Sequence, residues 1–593
     1  MTKGQLQIHS QNILPIIKKW LYSEKDIFVR ELVSNACDAI TKRSILQQGG
    51  DLAPRIEIAI DKEAKTLTFS DTGIGLEADE TEKYLAQIAF SGAEEFIKAY
   101  QTNDAFIGHF GLGFYSAYMV ADSVEVKSLS YKESAQSCLW CCDGSSEYEV
   151  VASDRSSIGT DIILHLNQEN QEFLEESRLL EVVKRFCLFL PYPIFVNGTL
   201  VNAKEPLWLK SAASCTSSDY VDFYKELNPF EQEPLFWIHL NVDYPFHVKG
   251  ILYFPRIHKD FDFTKSHVKL YSNRVFVSDD CKDILPDYLQ MLKGVIDSPD
   301  IPLNVSRSHL QVDKTVRGLS GHIAKKVVDA LHILYKNEHE RFLKVWEDCE
   351  VVVKLGMLND DKFRERAKEF LVWKTTKDSY ITIDTSRDVY YYVSEEQLGS
   401  HLVDLYEQKG LDVLVARGQL DSALMALLER GNSLKFKRID AEVLSELVDP
   451  SKEKTLLDAD GRSEGAKIAD TIRKTLDLPG VEVVAKSLES NDTAGFILLQ
   501  EDERRFRDYM ARISKESPQN GIAKKTFVVN TNSPLISAIC QMETKEPELA
   551  KMLVQELYDL AALGQKELAP QELKAFLSRS TKLLESVAKL ANR

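Results

Sequence analysis

The sequence predicts an α/β multidomain protein, and three observations carry that expectation. The chain has 593 residues, more than one hydrophobic core serves, and domains of ordinary size divide it into three or four. Strand-like alternation and helix-like spacing follow one another along most of its length. Two polar, turn-rich stretches interrupt that pattern, NGTLVNAKEP (197–206) and DPSKEKTLLDADGRSEG (449–465). They separate α/β regions at 1–200 and 206–447 and a smaller one at 466–593.

In the first region, RIEIAI (55–60) puts Ile56, Ile58 and Ile60 on one face. LTF (67–69) repeats the alternation, so the two read as a hairpin around Asp61–Lys65. IFVRELVSNACDAITK (27–42) places Leu32, Val33, Ala36, Cys37 and Ile40 in an arc opposite Glu31, Asn35, Asp38 and Lys42, which predicts an amphipathic helix. VVKRFCLFL (182–190) closes the region, and 197–206 reads as a short linker. The second region holds strand-like FHVKGILYF (246–254) and KLYSNRVFVS (269–278), then helix-like stretches from about 313 to 371. Strands and helices return around YYYVS (390–394) and DVLVA (412–416). The last region ends in two helical segments, PELAKMLVQELYDLAAL and PQELKAFLSRSTKLLESVAKL, each opening on Pro with Glu close behind.

Composition narrows the function classes. Hydrophobic residues at 44% and charged residues at 28% describe an ordinary globular chain. A net charge of -18 argues against a nucleic-acid backbone as the main partner. It leaves room for ATP, since a local nest of amides and a metal ion hold phosphate on an acidic protein. The start lacks the basic-then-apolar order of a signal peptide, and the longest apolar runs fall short of a membrane span. Nine cysteines are too sparse for a disulfide framework. Cys138, Cys141 and Cys142 include one CxxC, but no second pair follows at zinc spacing, so they read as cytoplasmic thiols.

Four motifs carry chemistry. The acid, amide and acid at Glu31, Asn35 and Asp38 fit either a solvated helix face or one wall of a ligand pocket. In the pocket reading, an Asn oxygen suits Mg²⁺ and a Glu one turn away holds a water near the same phosphate. SDTGIGL (70–76) ends a strand; it is a capped turn, or a carboxylate at Asp71 placed to accept from an exocyclic amine beside Gly73 and Gly75. GHFGLGFYSAYMV (108–120) has neither the Rossmann nor the Walker spacing. Glycines leading straight into an apolar helix nevertheless offer amides to phosphate. Gly159-Thr160 opens the strand DIILHL (161–166).

Taken in order, the four motifs resemble the ATP site shared by gyrases, mismatch-repair clamps, histidine kinases and heat-shock chaperones. YSEKDIFVRELVSNACDAI, GHFGLGFYSAYMVAD and RLLEVVKRF are similar to the chaperone branch. SDYVDFYKEL, KLYSNRVFVSDD and GVIDSPDIPLNVSRSHLQ resemble that family's middle domain, and DLAALGQKELAPQELKAFLSRSTKLL its dimerising C-terminal domain. Neither the acidic cluster of a gyrase nor the phospho-accepting His helix of a kinase is present. The chain is thus identified as a member of the ninety-kilodalton heat-shock chaperone family, in its bacterial form. The resemblance implies an N-terminal two-layer α/β sandwich, an α/β middle domain and a smaller α/β C-terminal dimerisation domain.

It also implies roles. Glu31 would activate the attacking water, and Asn35 would coordinate Mg²⁺ on the phosphates, with Asp38 and Lys42 nearby. Asp71 would accept from the adenine amine, with Gly75 beside the ring, Gly73 also in the ATP site and Thr160 helping through water. Gly108, Gly111, Gly113 and Phe114 would give amides to the phosphates. Arg307 would reach the γ-phosphate from the middle domain with Gln311 close by, which makes phosphoryl transfer contingent on closure. The implied protein is a cytoplasmic stress-response chaperone and slow ATPase that closes as a homodimer on unfolded or partly folded clients.

The sequence also departs from the family pattern. Ala86-Gln87 stand where the family has Gly-Thr, Phe90 where it has Lys, and Ala93 where it has Thr. Leu76 replaces a usual Met, and the lid is short between Tyr100 and Gly108. The acidic tail peptide of the eukaryotic form is absent, so tail-docking co-chaperones with helical repeats are not expected. Phe506, Tyr509, Met510 and Ile513 fall on one side of a helix, either packed on its own domain or offered to clients. Leu553, Leu557, Leu560, Leu573, Phe576, Leu577, Leu583, Leu584 and Val587 exceed what one small domain hides, as a four-helix dimer interface requires. Two functions remain beside the chaperone ATPase: a dimeric scaffold that senses nucleotide with negligible turnover because the lid has diverged, and a DNA-linked ATPase, which the acidic charge disfavours.

Overall fold

The computed structural model describes residues 24–591 apart from 48–52, 89, 91, 101–105, 109–110, 146, 203–204, 245, 257–266, 302–313, 431, 443–446, 450–462, 500–524, 566–567 and 569. Among the described residues no helix is long and apolar enough to cross a membrane. The chain forms two compact units, Met1–Ala330 and Leu331–Arg593.

The described part of the first unit begins with helix α1 (Ile27–Leu46), whose predicted apolar arc is buried from Leu32 to Ile40. The predicted hairpin follows as β1 (Ile56–Asp61) and β2 (Thr66–Asp71), with Ile58 opposite Phe69. Then come α2 (Ala78–Leu85), α3 (Gly92–Tyr100), β3 (Ala121–Leu129), β4 (Cys138–Cys142), β5 (Glu149–Ala152) and β6 (Gly159–Leu166). Helix α4 (Glu176–Cys187) precedes β7 (Ile194–Val196) and β8 (Thr199–Leu200). These strands make one eight-stranded sheet in the order β5-β4-β3-β6-β2-β1-β7-β8. Helices α1 and α4 pack on each other, with α1 against β1 and β2 and α4 against β7. The result is the expected two-layer α/β sandwich. Ile56, Ile58, Leu67 and Phe69 are buried, whereas Glu57, Ala59, Thr68 and Ser70 keep solvent access.

One reading changes here. The stretch read as a linker begins as a hairpin turn: Asn197 and Gly198 take φ of 46° and 79°, and β8 pairs back on β7. An Asn-Gly pair is the sequence that turn requires. The helix expected after the glycines forms, and it is of the 3₁₀ type, Gly113–Met119. It spans only 7 residues before β3 begins, and a tighter helix suits so short a connector.

The same unit continues with α5 (Ser217–Leu227), β9 (Phe236–Val242), β10 (Val248–Phe254), β11 (His267–Ser272), β12 (Val275–Ser278) and β13 (Lys293–Asp297). They form a second sheet ordered β12-β11-β13-β10-β9. KLYSNRVFVS, read as one strand, is two, because Asn273 and Arg274 turn the chain at φ of 50° and 67°. Phe189 packs on Trp208 at 4.6 Å and Phe186 on Phe276 at 5.8 Å, which joins both sheets in one core.

The division between units falls within α6 (Lys314–Asn337). The second unit adds α7 (His339–Asn359), α8 (Asp361–Ala367), β14 (Val372–Lys374), β15 (Tyr380–Thr382), β16 (Val389–Ser394), α9 (His401–Gln408), β17 (Val413–Ala416), α10 (Gln419–Glu429) and β18 (Lys435–Arg438). Strands β17-β16-β18 form a parallel sheet. Beyond it lie α11 (Glu464–Leu476), β19 (Val481–Lys486), β20 (Gly495–Leu499), β21 (Lys525–Asn530), α12 (Pro534–Met542), α13 (Pro547–Gly564) and α14 (Pro570–Ala591). Pro does stand at the first turn of α13 and α14. Leu557 and Phe576 are buried, whereas Leu560, Leu573, Leu577, Leu584 and Val587 are exposed.

Candidate functional site

Helix α1 supplies one wall of a cavity in the first unit. Glu31 is held by its neighbour Arg30, whose Nε and Nη2 donate to Oε1 at 2.9 and 2.7 Å. Arg30 is buried, and the motif reading missed it. Asp38, predicted on a polar face, is buried too. Its carboxylate accepts the amides of Ile107 at 2.8 Å and Gly108 at 2.7 Å. In this structure the Gly108 amide therefore faces Asp38. The helix carries the carboxylate that fastens the opposite wall.

The second wall is the turn after β2. Asp71 Oδ1 accepts the Gly73 amide at 2.7 Å. The turn docks on α1, where Ile74 donates to the Ala39 carbonyl at 3.0 Å and Arg43 Nη1 to the Thr72 carbonyl at 3.0 Å. That docking is why residue 73 is glycine: a Cβ there would lie 2.5 Å from Ala39 Cβ. Gly75 sits at φ +65° with the Leu129 carbonyl 1.9 Å from where a Cβ would be. Burial pushes the Asp71 carboxyl up to about 7, although the Gly73 and Thr160 amides and Arg155 pull the other way.

Register brings Thr160 of β6 directly opposite Asp71. Its hydroxyl lies 2.9 Å from that of Ser128, which also accepts the Leu76 amide at 2.8 Å. Ser128 is fully buried and ties β3, β6 and the turn together. It too was missed, because nothing in its local sequence marks it.

The third wall is the glycine segment and the lid. Gly111 takes φ +63°, and a Cβ on Gly113 would fall 2.4 Å from Glu31 Oε2. Phe114 is buried and packs edge-on against Trp140 at 5.8 Å. Lys42 lies beside Phe96 of α3 at 5.8 Å, and burial lowers its pKa despite the nearby Asp38. Across α2 and α3, Lys83 pairs with Glu95 at 2.8 Å and the Tyr84 hydroxyl donates to the same carboxylate at 2.9 Å. Phe90 packs on Tyr84 at 5.9 Å.

Together these walls enclose about 540 Å³, lined by Glu31, Asn35, Asp38, Lys42, Asp71, Gly75, Gly108, Gly111, Gly113, Phe114 and Thr160. Gly73 is not among the lining residues, and its amide is bonded to Asp71. The size and the mix of apolar lining with a few fixed polar groups suit a nucleotide-sized ligand. Arg307, Gln311, Phe506, Tyr509, Met510 and Ile513 lie outside the described residues. The nine cysteines form no disulfide, and the described residues hold no metal-binding cluster of His, Cys, Asp and Glu.

Comparison with known proteins agrees with this geometry. Residues 22–166 match the family described as histidine kinase-, DNA gyrase B- and HSP90-like ATPase. Residues 195–593 match the family described as Hsp90 protein. The chain is 40% identical over 600 residues to the chaperone protein HtpG of Porphyromonas gingivalis, covering 93% of this chain and 86% of that protein. It is 38% identical over 601 residues to the HtpG of Bacteroides fragilis, covering 94% and 88%. The mitochondrial heat shock protein 75 kDa of Rattus norvegicus is 29% identical over 600 residues, covering 95% and 84%. With an ATPase-type pocket at its start and matches along most of its length, the chain belongs to the Hsp90 family of ATP-dependent molecular chaperones.

Proposed function

We propose that ATP with Mg²⁺ occupies this pocket, and that slow hydrolysis closes the N-terminal regions of a homodimeric clamp on unfolded or partly folded clients. The observation that carries the reading is the placement of Asp71. A buried carboxylate at a strand end, with glycine backbone on one side and Thr160 opposite, is a site for an exocyclic amine on a flat ring. A nucleotide so anchored runs its phosphates toward Glu31, Asn35 and the glycine segment.

In this reading Glu31, oriented by Arg30, takes the proton of the attacking water. Asn35 is the residue that would hold Mg²⁺, since a carboxamide oxygen beside phosphate oxygens is the hard donor set that ion takes. The ion neutralises phosphate charge when bound. Arg307 adds positive charge from 206–447, so hydrolysis waits on domain closure. The exposed leucines of α13 and α14 support dimerisation through the C-terminal region. Nine cysteines without a disulfide fit a reducing cytoplasm.

Steady-state phosphate release, run with a nucleotide-binding assay on wild type, Glu31→Ala and Arg307→Ala, tests the reading. Glu31→Ala is expected to bind ATP and release phosphate only at background, and Arg307→Ala to slow release about tenfold or more. Loss of binding in Glu31→Ala counts against its role. Background release by wild type as well favours the nucleotide-sensing scaffold, which Phe90 in place of a lid lysine already suggests.

A further inference from the structure

Asn273 belongs to the turn between β11 and β12, yet its Nδ2 donates to the Phe106 carbonyl at 3.0 Å. Phe106 directly precedes Ile107 and Gly108, whose amides Asp38 accepts. The run 106–108 is therefore held from two sides, by α1 through Asp38 and by the second sheet through Asn273. Phe106 is fully buried and packs edge-on against Phe96 at 5.4 Å. Phe96 in turn stacks on Tyr100 at 4.4 Å and lies beside Lys42. A shift at 106 thus reaches both the Gly108 segment and α3, two parts of the cavity wall.

The donor is held firmly in place. Asn273 and Arg274 both sit in the left-handed region, where asparagine is tolerated better than most residues. The turn is fastened by Asp297 of β13, which accepts the Arg274 amide at 3.1 Å and the Trp208 indole N–H at 3.1 Å. Asp297 is itself buried. A continuous set of hydrogen bonds runs from Trp208 through Asp297 and the turn to the Phe106 carbonyl, then through the next two amides to Asp38.

We infer that Asn273 is a positioning residue for the nucleotide pocket: through the Phe106 carbonyl it fixes residues 106–108, so the β11–β12 turn sets how firmly the pocket holds its ligand. Only the ligand part of this inference rests on the nucleotide reading above. Removing the amide leaves a buried carbonyl with one partner fewer, and one such bond corresponds to roughly a threefold to tenfold change in local opening.

The test uses the full chain with Asn273→Asp and Asn273→Gly. Both residues accept positive φ, so the turn survives, and neither can donate from that position. Hydrogen exchange is measured without nucleotide, and release of N-methylanthraniloyl-ADP is followed by stopped flow. The Ile107 and Gly108 amides are expected to exchange about three to ten times faster in both variants, with β11 and β12 amides unchanged. Release of the analogue is expected to quicken by a similar factor. Wild-type exchange at 107–108 in both variants overturns the inference. So does equal acceleration throughout β11 and β12, which makes Asn273 a turn residue only. Unchanged release from variants that do open at 107–108 overturns the link to the ligand. If wild type binds no analogue, the nucleotide reading fails and exchange alone decides the positioning role.

Discussion

A side chain at Gly113 would collide with Glu31: a Cβ there would stand 2.4 Å from Oε2. The other oxygen of Glu31 is pinned by Arg30 at 2.9 and 2.7 Å. The carboxylate therefore has little room to retreat, and Gly113→Ala is expected to displace it from the position that the proposed role as general base requires. General base catalysis depends on that position and supplies about 10²–10⁴ in rate. The variant should lose roughly a hundredfold in kcat with nucleotide affinity changed by no more than about threefold. Phosphate release and calorimetric binding check this; unchanged kcat would show that Glu31 has no such role.

Asp71 gives a pH prediction. Its carboxyl is raised from 3.8 to about 7 by burial. The folded chain then keeps a proton that the unfolded chain releases, so folding loses stability as pH rises from about 3.8 to about 7. Asp71→Asn removes that cost. In the nucleotide-free protein at pH 8 the variant is expected to be more stable by on the order of 3 kcal/mol, an advantage that disappears below pH 4. Wild-type nucleotide affinity should fall from pH 8 to pH 6, since the protonated acid is a poorer acceptor. Denaturant titrations at the two extremes and binding at pH 6 and 8 measure both, and flat profiles would refute the argument.

Much of this pocket was legible in advance, for a physical reason. Periodicity puts Asp71 at a strand end and the α1 residues on one helix face, because apolar neighbours fix the register of each element; that these positions line one pocket is what the resemblance of the four motifs implies. Gly73, Gly75, Gly111 and Gly113 follow because close approach or positive φ leaves no space for a Cβ. The supports were not legible. Arg30 adjoins Glu31 in sequence, and adjacent helical residues do not ordinarily face each other. Ser128 and Asn273 act through partners set by the tertiary fold, at 32 and 167 positions' remove. Asp38 was read as a nucleotide neighbour, and its hydrogen bonds to Ile107 and Gly108 depend on a loop no periodicity describes. The Asn197-Gly198 turn was readable, but the polar residues after it gave the stretch the look of a linker.

The lid offers a gain-of-function test. Phe90 packs beside Tyr84, and the nearby Lys83 is occupied by Glu95 at 2.8 Å. Position 90 itself thus brings an aromatic ring, not a cation, to the cavity lining. Phe90→Lys is expected to tighten ATP binding about fivefold and to leave ADP nearly unchanged, because the added charge meets the terminal phosphate. Lost packing on Tyr84 costs about 1 kcal/mol of stability. Competition binding gives the ATP-to-ADP ratio. A ratio equal to that of wild type would mean that this position does not face the phosphates.

In the second unit a buried ion cluster predicts a purely structural effect. Lys354 of α7 pairs with Glu350 and with Asp421 of α10, and its ammonium lies 4.0 Å from the Trp373 ring centre. Arg417 adds an amide to Asp421 at 2.6 Å. Lys354→Met takes the ammonium from two buried carboxylates, leaving Glu350 the Arg417 guanidinium at 3.5 Å and Asp421 the Arg417 amide, and is expected to cost about 3 kcal/mol. Lys354→Met combined with Glu350→Gln and Asp421→Asn should recover part of that loss, because it removes the uncompensated charge. Chemical denaturation followed by tryptophan fluorescence distinguishes the variants. A triple variant as unstable as the single one would show that the cost is lost packing.

Helix α14 carries the evidence for dimerisation, and its geometry makes the test sharp. Leu573, Leu577, Leu584 and Val587 lie within about 80° of arc at the helical repeat. They are 36%, 55%, 70% and 62% exposed in the single chain. A stripe of four large apolar side chains left to water on one helix is what an interface between copies explains. Leu577→Glu buries a charge at the centre of such an interface and is expected to raise the dimer dissociation constant at least a hundredfold, by roughly 3 kcal/mol or more. Lys582, on the opposite side of the same helix, is exposed; Lys582→Glu should leave the dimer intact. Sedimentation velocity over a concentration series decides between them. A dimer that survives Leu577→Glu as well as Lys582→Glu would place the interface elsewhere and leave the stripe without a partner.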